Sequence, residues 1–286
     1  LAAGFFSYFV CRWSYPALLD ATSGINPVEA AERTPFDPYF SIDMPPLMSV
    51  TSALLLAFVL GLGLAGGKNS GLKGALVEFR AVVSALIGRA IVPLLPLYIF
   101  GIFLKMGVEG QVAGILSLFL KIILLIFVMH IALLLFQYGI AGLVARKNPL
   151  KMLRTMLPAY LTALGTQSSA ATIPVTLAST IRNGVDAELA GFVVPLNATI
   201  HLSGSILKIV ACAMALAYMS GMPAGTGLYA GFIFMLGITM VAAPGVPGGA
   251  IMAALGLLQS MLGFDENLQG LMIALYIAMD SFGTAG

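Results

Sequence analysis

Apolar residues in this chain run in long, nearly unbroken stretches, not in the alternating or one-in-four patterns of half-buried elements. A helix needs about 20 mostly apolar residues to cross a ~30 Å hydrocarbon core. Stretches of that kind predict spanning helices at about 1–19, 45–66, 82–104, 112–144, 187–219 and 267–286. Two stretches depart from the pattern. Residues 153–182 are interrupted by Gly165-Thr166-Gln167-Ser168-Ser169-Ala170-Ala171-Thr172 and then Pro174, which leaves about ten helical residues on either side. At 1.5 Å per residue each arm reaches about 15 Å, half of the core. Residues 225–262 are broken in the same way at Pro244-Gly245-Val246-Pro247-Gly248-Gly249. Both are predicted to be re-entrant helical hairpins.

Composition narrows the class. Of 286 residues 59% are hydrophobic and 9% charged, against roughly 25% charged in soluble domains, so a water-soluble fold is excluded. The 32 Gly and 15 Pro lie inside apolar stretches, as they do in membrane helices, where neighbouring segments re-satisfy broken backbone hydrogen bonds. A net charge of +2 with scattered Lys and Arg argues against a nucleic-acid surface. Cys11 and Cys212 sit in apolar runs with no disulfide or zinc spacing. The chain opens inside an apolar run without Met and stops at Gly286 just after another. Both ends are therefore expected to be cut, with further helices beyond them.

Charge placement orients the spans, because cytoplasmic loops carry the excess of Lys and Arg. Lys68, Lys73 and Arg80 follow the second span and Arg146, Lys147, Lys151 and Arg154 the fourth, so those loops are predicted inside. Between the first two spans, Asp20, Glu29, Glu32, Asp37 and Asp43 face only Arg33, so that loop is predicted outside. The expectation is an all-α, multi-pass protein of the cell membrane, the bacterial plasma membrane in particular.

Irregular backbone at membrane depth is tolerated only where protein buries it or it lines an aqueous cavity. Two such breaks imply a polar pocket, with half-helix N-termini and the Ser168, Ser169 and Thr172 hydroxyls suited to a carboxylate. Each break is followed by a helix with its own polar cluster. The first is Pro195 to Ser205, then Lys208, with His201 and Lys208 two turns apart on one helix face. The second is Met279-Asp280-Ser281-Phe282-Gly283-Thr284, in which Asp280 is the only acidic residue deep in a predicted span. That carboxylate needs a partner: a cationic substrate group, Lys208 or a coupling ion. Arg89 and His130 also fall within spans and read as packing or interface residues. An intramembrane protease is disfavoured. It would need a second Asp, an H-E-x-x-H motif, or a better pairing than Ser205 and His201 four residues apart on one helix. A channel remains the closer rival, since the same pocket with both gates open would conduct.

At these motifs the chain resembles the dicarboxylate/amino acid:cation symporters, the glutamate-transporter homologues. Gln167 to Thr176 resembles the serine-rich tip of that family's first hairpin, and Pro195 to Gly204 its unwound segment. Gly245-Val246-Pro247-Gly248 resembles the second hairpin tip, and Asp280 matches the last-helix Asp that binds the substrate amino group. The resemblance implies a trimerisation scaffold at 45–105 and a moving transport domain formed by residues 1–20 and 111–286. It implies a homotrimer among membrane lipids, two scaffold helices before Leu1, and an Asn-x-x-x-Asp cation motif after Gly286. It assigns substrate binding to Gln167, Ser168, Ser169, Thr172, Gly245, Val246, Pro247, Gly248, Asp280, Gly283 and Thr284. It assigns cation binding or coupling to Asn197, Thr199, His201, Leu202, Ser203 and Lys208, with sodium near Asn197, Thr199 and His201. No cofactor is implied beyond the coupling ion, sodium or proton.

Two departures sharpen the expectation. Members that take acidic amino acids carry an Arg three residues after the Asp, where this chain has Gly283. A second substrate carboxylate would then be buried unpaired, so a small neutral or polar amino acid is expected. The family's Asn and Asp cation ligands are His201 and Ser203 here, and Lys208 is placed to fill the vacated cation position. Coupling then uses fewer sodium ions, or protons through His201 and Asp280. The alternatives are a dicarboxylate or acidic amino acid symporter of the same family, and an anion or solute channel.

Overall fold

The computed structural model describes residues 1–19, 50–65, 70–86, 112–243, 245 and 247–286, with short stretches at 89–90, 93–94, 96–97, 100–101 and 104. Every described element is helical: α1 (Ala2–Leu18), α2 (Val50–Ala65), α3 (Ser70–Leu86), α4 (Val112–Ala145), α5 (Pro149–Thr166), α6 (Ser169–Arg182), α7 (Ala187–Ile200), α8 (Ser203–Met219), α9 (Thr226–Ala242), α10 (Gly249–Leu262), α11 (Glu266–Ala278) and α12 (Asp280–Ala285). The acidic loop at 20–43 lies outside the described residues, as does much of the span expected at 82–104.

Local chemistry sets most of the boundaries. After α4 the chain turns through Arg146 in the left-handed region (φ 52°). Asn148 then caps α5, its side chain accepting from the amides of Leu150 and Lys151, with Pro149 at the first helical position. Asp186 caps α7 and Asp265 caps α11 in the same way. Residues 70–81, expected as loop, are instead helix. Leu72, Leu76, Phe79, Val83 and Leu86 recur at helical spacing, so the charged residues between them do not stop the turn from propagating.

The first hairpin is tighter than expected. α5 starts at Pro149 and α6 runs from Ser169 through Pro174, leaving only Gln167 and Ser168 between them. One missing N–H at Pro174 does not end a helix whose neighbours satisfy the backbone. The second hairpin, α9 and α10, breaks where expected, after Ala242. The helix expected at 187–219 is divided at His201 and Leu202. The last helix, expected to be continuous over 267–286, is interrupted at Met279.

The core is built around α8. Gly204 to Ala217 are all buried, so this mostly apolar helix is enclosed on every side by the others, with Ser205 and Lys208 taken inside as well. It packs against α1, α4, α9, α10, α11 and α12. On the α1 side the Ser7 hydroxyl donates to the Leu207 carbonyl at 2.9 Å and the Tyr15 hydroxyl to the Ala211 carbonyl at 2.9 Å. Two stretches among the described residues, Leu118–Ala145 and Ala187–Met219, are long and apolar enough to cross a membrane. Leu143, Val144 and Phe136 of α4 face outward with Trp13 of α1, an apolar surface suited to lipid.

Candidate functional site

The tips of the two hairpins meet. Ser168, which caps α6 by accepting from the Ala171 amide, also donates its hydroxyl to the Gly245 carbonyl at 2.8 Å. The Ala170 amide reaches that carbonyl at 3.4 Å. A single carbonyl in the second break therefore accepts from the N-terminus of a helix in the first, where free amides are available.

The first tip is also fastened to α12. Gln167 adopts a left-handed conformation (φ 52°). Its amide nitrogen donates to Ser281 Oγ at 2.8 Å, and its carbonyl accepts from Thr284 Oγ1 at 3.4 Å. Thr172 is buried and bonds back to the Ser168 carbonyl at 2.7 Å.

Asp280 ties the second tip to the core. Its Oδ2 accepts from the Gly248 amide at 2.8 Å, and its Oδ1 accepts from Lys208 Nζ at 2.9 Å. Gly248 stands in the left-handed region (φ 70°) immediately before α10, a conformation that costs glycine little and aims its amide at the carboxylate. Lys208 is 0% exposed and Asp280 4%, so this is an ion pair removed from water. The Lys208 ammonium also donates to the Met279 carbonyl at 3.3 Å and lies 3.7 Å from the centre of the Tyr276 ring. That carbonyl stays in the backbone ladder, accepting also from the Phe282 amide at 3.1 Å and the Gly283 amide at 3.4 Å, so the ammonium is an additional donor to it.

Glycines make room for the pair. An ideal Cβ on Gly283 would overlap the Lys208 side chain, and one on Gly204 would overlap the Gly283 carbonyl. α8 and α12 therefore touch backbone to backbone, with Lys208 laid across Gly283. His130 closes this node from α4: it is buried, with ring nitrogens 2.9 Å from the Ile126 carbonyl and 3.1 Å from the Gly204 carbonyl.

The structure thus brings Gln167, Ser168, Thr172, Gly245, Gly248, Asp280, Gly283, Thr284 and Lys208 into one assembly of two tips, α8 and α12. Pro247 lies in the turn leading to Gly248. Ser169, Asn197, His201 and Leu202 line a cavity of about 510 Å³ between α4, α5, α6, α7 and α12, whose wall also includes Thr172, Gly283 and Thr284 of that assembly. The Asn197 amide donates to the Val193 carbonyl of its own helix at 2.9 Å. His201 and Lys208 do not share a helix face, because the break at His201 and Leu202 intervenes: His201 is exposed and Lys208 is enclosed. Ser203 begins α8 beside the break. Val246 and the side chain of Thr199 lie outside the described residues.

Sequence reasoning missed Tyr276 and the Met279 carbonyl, and it named Gly204, Ser205 and Ser281 within its motifs without giving them a place in the site. Tyr276 stands one turn before Asp280, and its hydroxyl donates to Ser205 Oγ at 3.1 Å. Its spacing from the acidic residue was a readable signal. The carbonyl left none, since it depends on where α11 stops.

The family model described as the Sodium:dicarboxylate symporter family matches residues 1–286. Excitatory amino acid transporter 2 of Homo sapiens is 26% identical over 247 residues, covering 80% of this chain and 43% of that protein. Excitatory amino acid transporter 5 of Mus musculus is 31% identical over 143 residues, covering 50% of this chain and 25% of that one. The serine/threonine transporter SstT of Acinetobacter baumannii is 28% identical over 200 residues, covering 69% and 50%. The chain spans about half the length of these relatives or less. Matched along its whole length, the chain belongs to the sodium:dicarboxylate symporter family, a family of membrane transporters.

Proposed function

We propose that this chain forms the substrate-handling part of a cation-coupled secondary active symporter for a small neutral or polar amino acid. The observation that carries this reading is the junction of the two hairpin tips, through the Gly245 carbonyl, beside Asp280. Both hairpins are re-entrant, and their tips and the adjoining breaks hold the solute near mid-membrane. Parting of the tips opens the site on one side. Residues 45–105 act as the scaffold of a homotrimer, against which residues 1–20 and 111–286 move in an elevator-like step. Sodium or a proton, engaged around Asn197, Thr199 and His201, couples the movement.

Charge balance supports the choice of substrate. The Asp280 and Lys208 charges cancel, so a zwitterion of zero net charge leaves the enclosed site neutral. A substrate with a second carboxylate finds Gly283 where it would need a cation, and Lys208 already bonded to Asp280. The relative named a serine/threonine transporter agrees with this reading. Those named excitatory amino acid transporters support the alternative, an acidic substrate.

The test is uptake by the full chain in liposomes, with labelled serine, threonine, alanine, aspartate and succinate, under an imposed sodium gradient and then a pH gradient. Saturable, counterflow-competent uptake of the neutral amino acids is expected. Preference for aspartate or succinate overturns the substrate, and unsaturable flux with large unitary currents overturns the carrier.

A further inference from the structure

The surroundings of Lys208 Nζ form a complete set of partners for a primary ammonium. An ammonium has three N–H donors. Here it meets a carboxylate oxygen at 2.9 Å, a peptide carbonyl at 3.3 Å and an aromatic face at 3.7 Å. A hard metal cation of similar charge prefers a shell of several oxygens, whereas an aromatic face is a good neighbour for an ammonium. Each partner is held by a contact of its own. Asp280 is oriented through Oδ2 by the Gly248 amide, and Tyr276 through its hydroxyl by Ser205. The absence of a side chain at Gly283 leaves the space along which the lysine stem reaches the cradle, and its absence at Gly204 lets the Gly283 backbone lie against α8.

We propose that Asp280 Oδ1, the Met279 carbonyl and the Tyr276 ring constitute a primary-ammonium site occupied by the chain's own Lys208, a tethered cation that balances Asp280 in place of a dissolved one. Vacated, the same cradle binds a small alkylammonium ion. The consequence for transport rests on the symporter reading above. An internally neutralised Asp280 can cross the membrane field without recruiting sodium at that carboxylate, which leaves any dissolved coupling ion to act elsewhere.

The cradle can be tested without transport. Lys208→Ala removes the stem beyond Cβ and leaves room for n-propylammonium. The melting temperature of the full chain in detergent is measured against n-propylammonium, tetramethylammonium and sodium chlorides at equal ionic strength. Lys208→Ala should melt lower than wild type and recover saturably with n-propylammonium, by at least about 3 °C. Tetramethylammonium has no N–H donor and should give no recovery, and sodium should give little. The wild type and Lys208→Ala/Asp280→Asn should not respond. Recovery of folded Lys208→Ala only when n-propylammonium is present during purification also supports the site. The proposal is overturned if Lys208→Ala shows no saturable response, if the double variant responds equally, or if Lys208→Ala stays unfolded with the amine while the double variant folds. Failed liposome uptake with a positive amine response removes the transport reading alone, and the reverse result removes the ammonium site alone.

Discussion

Gly283 and Lys208 share one volume: an ideal Cβ on Gly283 would stand 2.6 Å from the Lys208 ammonium nitrogen and 3.1 Å from its Cδ. A side chain at 283 on α12 and an extended lysine at 208 on α8 are therefore mutually exclusive. Gly283→Ala should lower stability by about 1–3 kcal/mol, as overpacking does. Placing it in a Lys208→Ala background should remove most of that loss. A double-mutant cycle on thermal unfolding reads the coupling, expected above about 1 kcal/mol. Additive losses would show that the two residues do not compete for space.

Gly204 poses a harder constraint, because its neighbour is backbone. A Cβ there would lie 3.1 Å from the Gly283 carbonyl carbon and 3.2 Å from its Cα. Gly204→Ala should accordingly cost more than Gly283→Ala, about 3 kcal/mol or above, and Lys208→Ala should not relieve it. Melting temperatures of the four variants decide the point.

The buried pair should behave asymmetrically. Lys208→Met or Asp280→Asn alone leaves an uncompensated enclosed charge or its orphaned partner, a loss of about 3–5 kcal/mol. Lys208→Met/Asp280→Asn removes both charges and should return to within about 1–2 kcal/mol of wild type. Unfolding in detergent measures all three, and a double variant as unstable as the sum of the singles would contradict the pairing.

Ser168 serves two helices, capping α6 and donating to Gly245. Ser168→Ala should lose about 1 kcal/mol from the cap. It should also speed hydrogen exchange at the Ala170 and Ala171 amides by roughly fivefold, the factor in local opening that about 1 kcal/mol gives. Unchanged exchange at the tip would mean that the hairpins hold together without this hydroxyl.

Tyr229 offers a substitution that should stabilise. Its hydroxyl is buried with no hydrogen-bond partner among the described residues, and its ring packs against Tyr8 and Phe232. Tyr229→Phe keeps the ring and removes the unsatisfied group, so the melting temperature should rise, by an equivalent of up to about 1 kcal/mol. A fall would reveal a partner for that oxygen in another state of the hairpin.

Much of this architecture was legible because lipid imposes blunt rules. An apolar run must be helical, and a Gly-Pro interruption inside one must be sheltered. That logic located both hairpins and singled out Asp280 and Lys208 as residues needing partners. It misjudged residues 70–81, where charges suggested a loop although the apolar stripe is helical. It also treated Pro174 as part of a break that extends only over Gln167 and Ser168. The two-turn spacing of His201 and Lys208 misled for a related reason: periodicity presumes an unbroken helix, and α7 ends at Ile200.

By itself the sequence determined an all-helical membrane chain, the positions of its two hairpin breaks, and the family it belongs to, since these follow from composition and contiguous motifs. Only the tertiary structure decided that Lys208, one of the partners the sequence offered, reaches Asp280, that Gly245 joins the two tips, and that Met279 interrupts the last helix. Those relations join residues far apart in the chain, and they depend on helix crossings close enough for two glycines to touch. Side-chain volume and backbone direction set such crossings, and neither can be read from one segment alone.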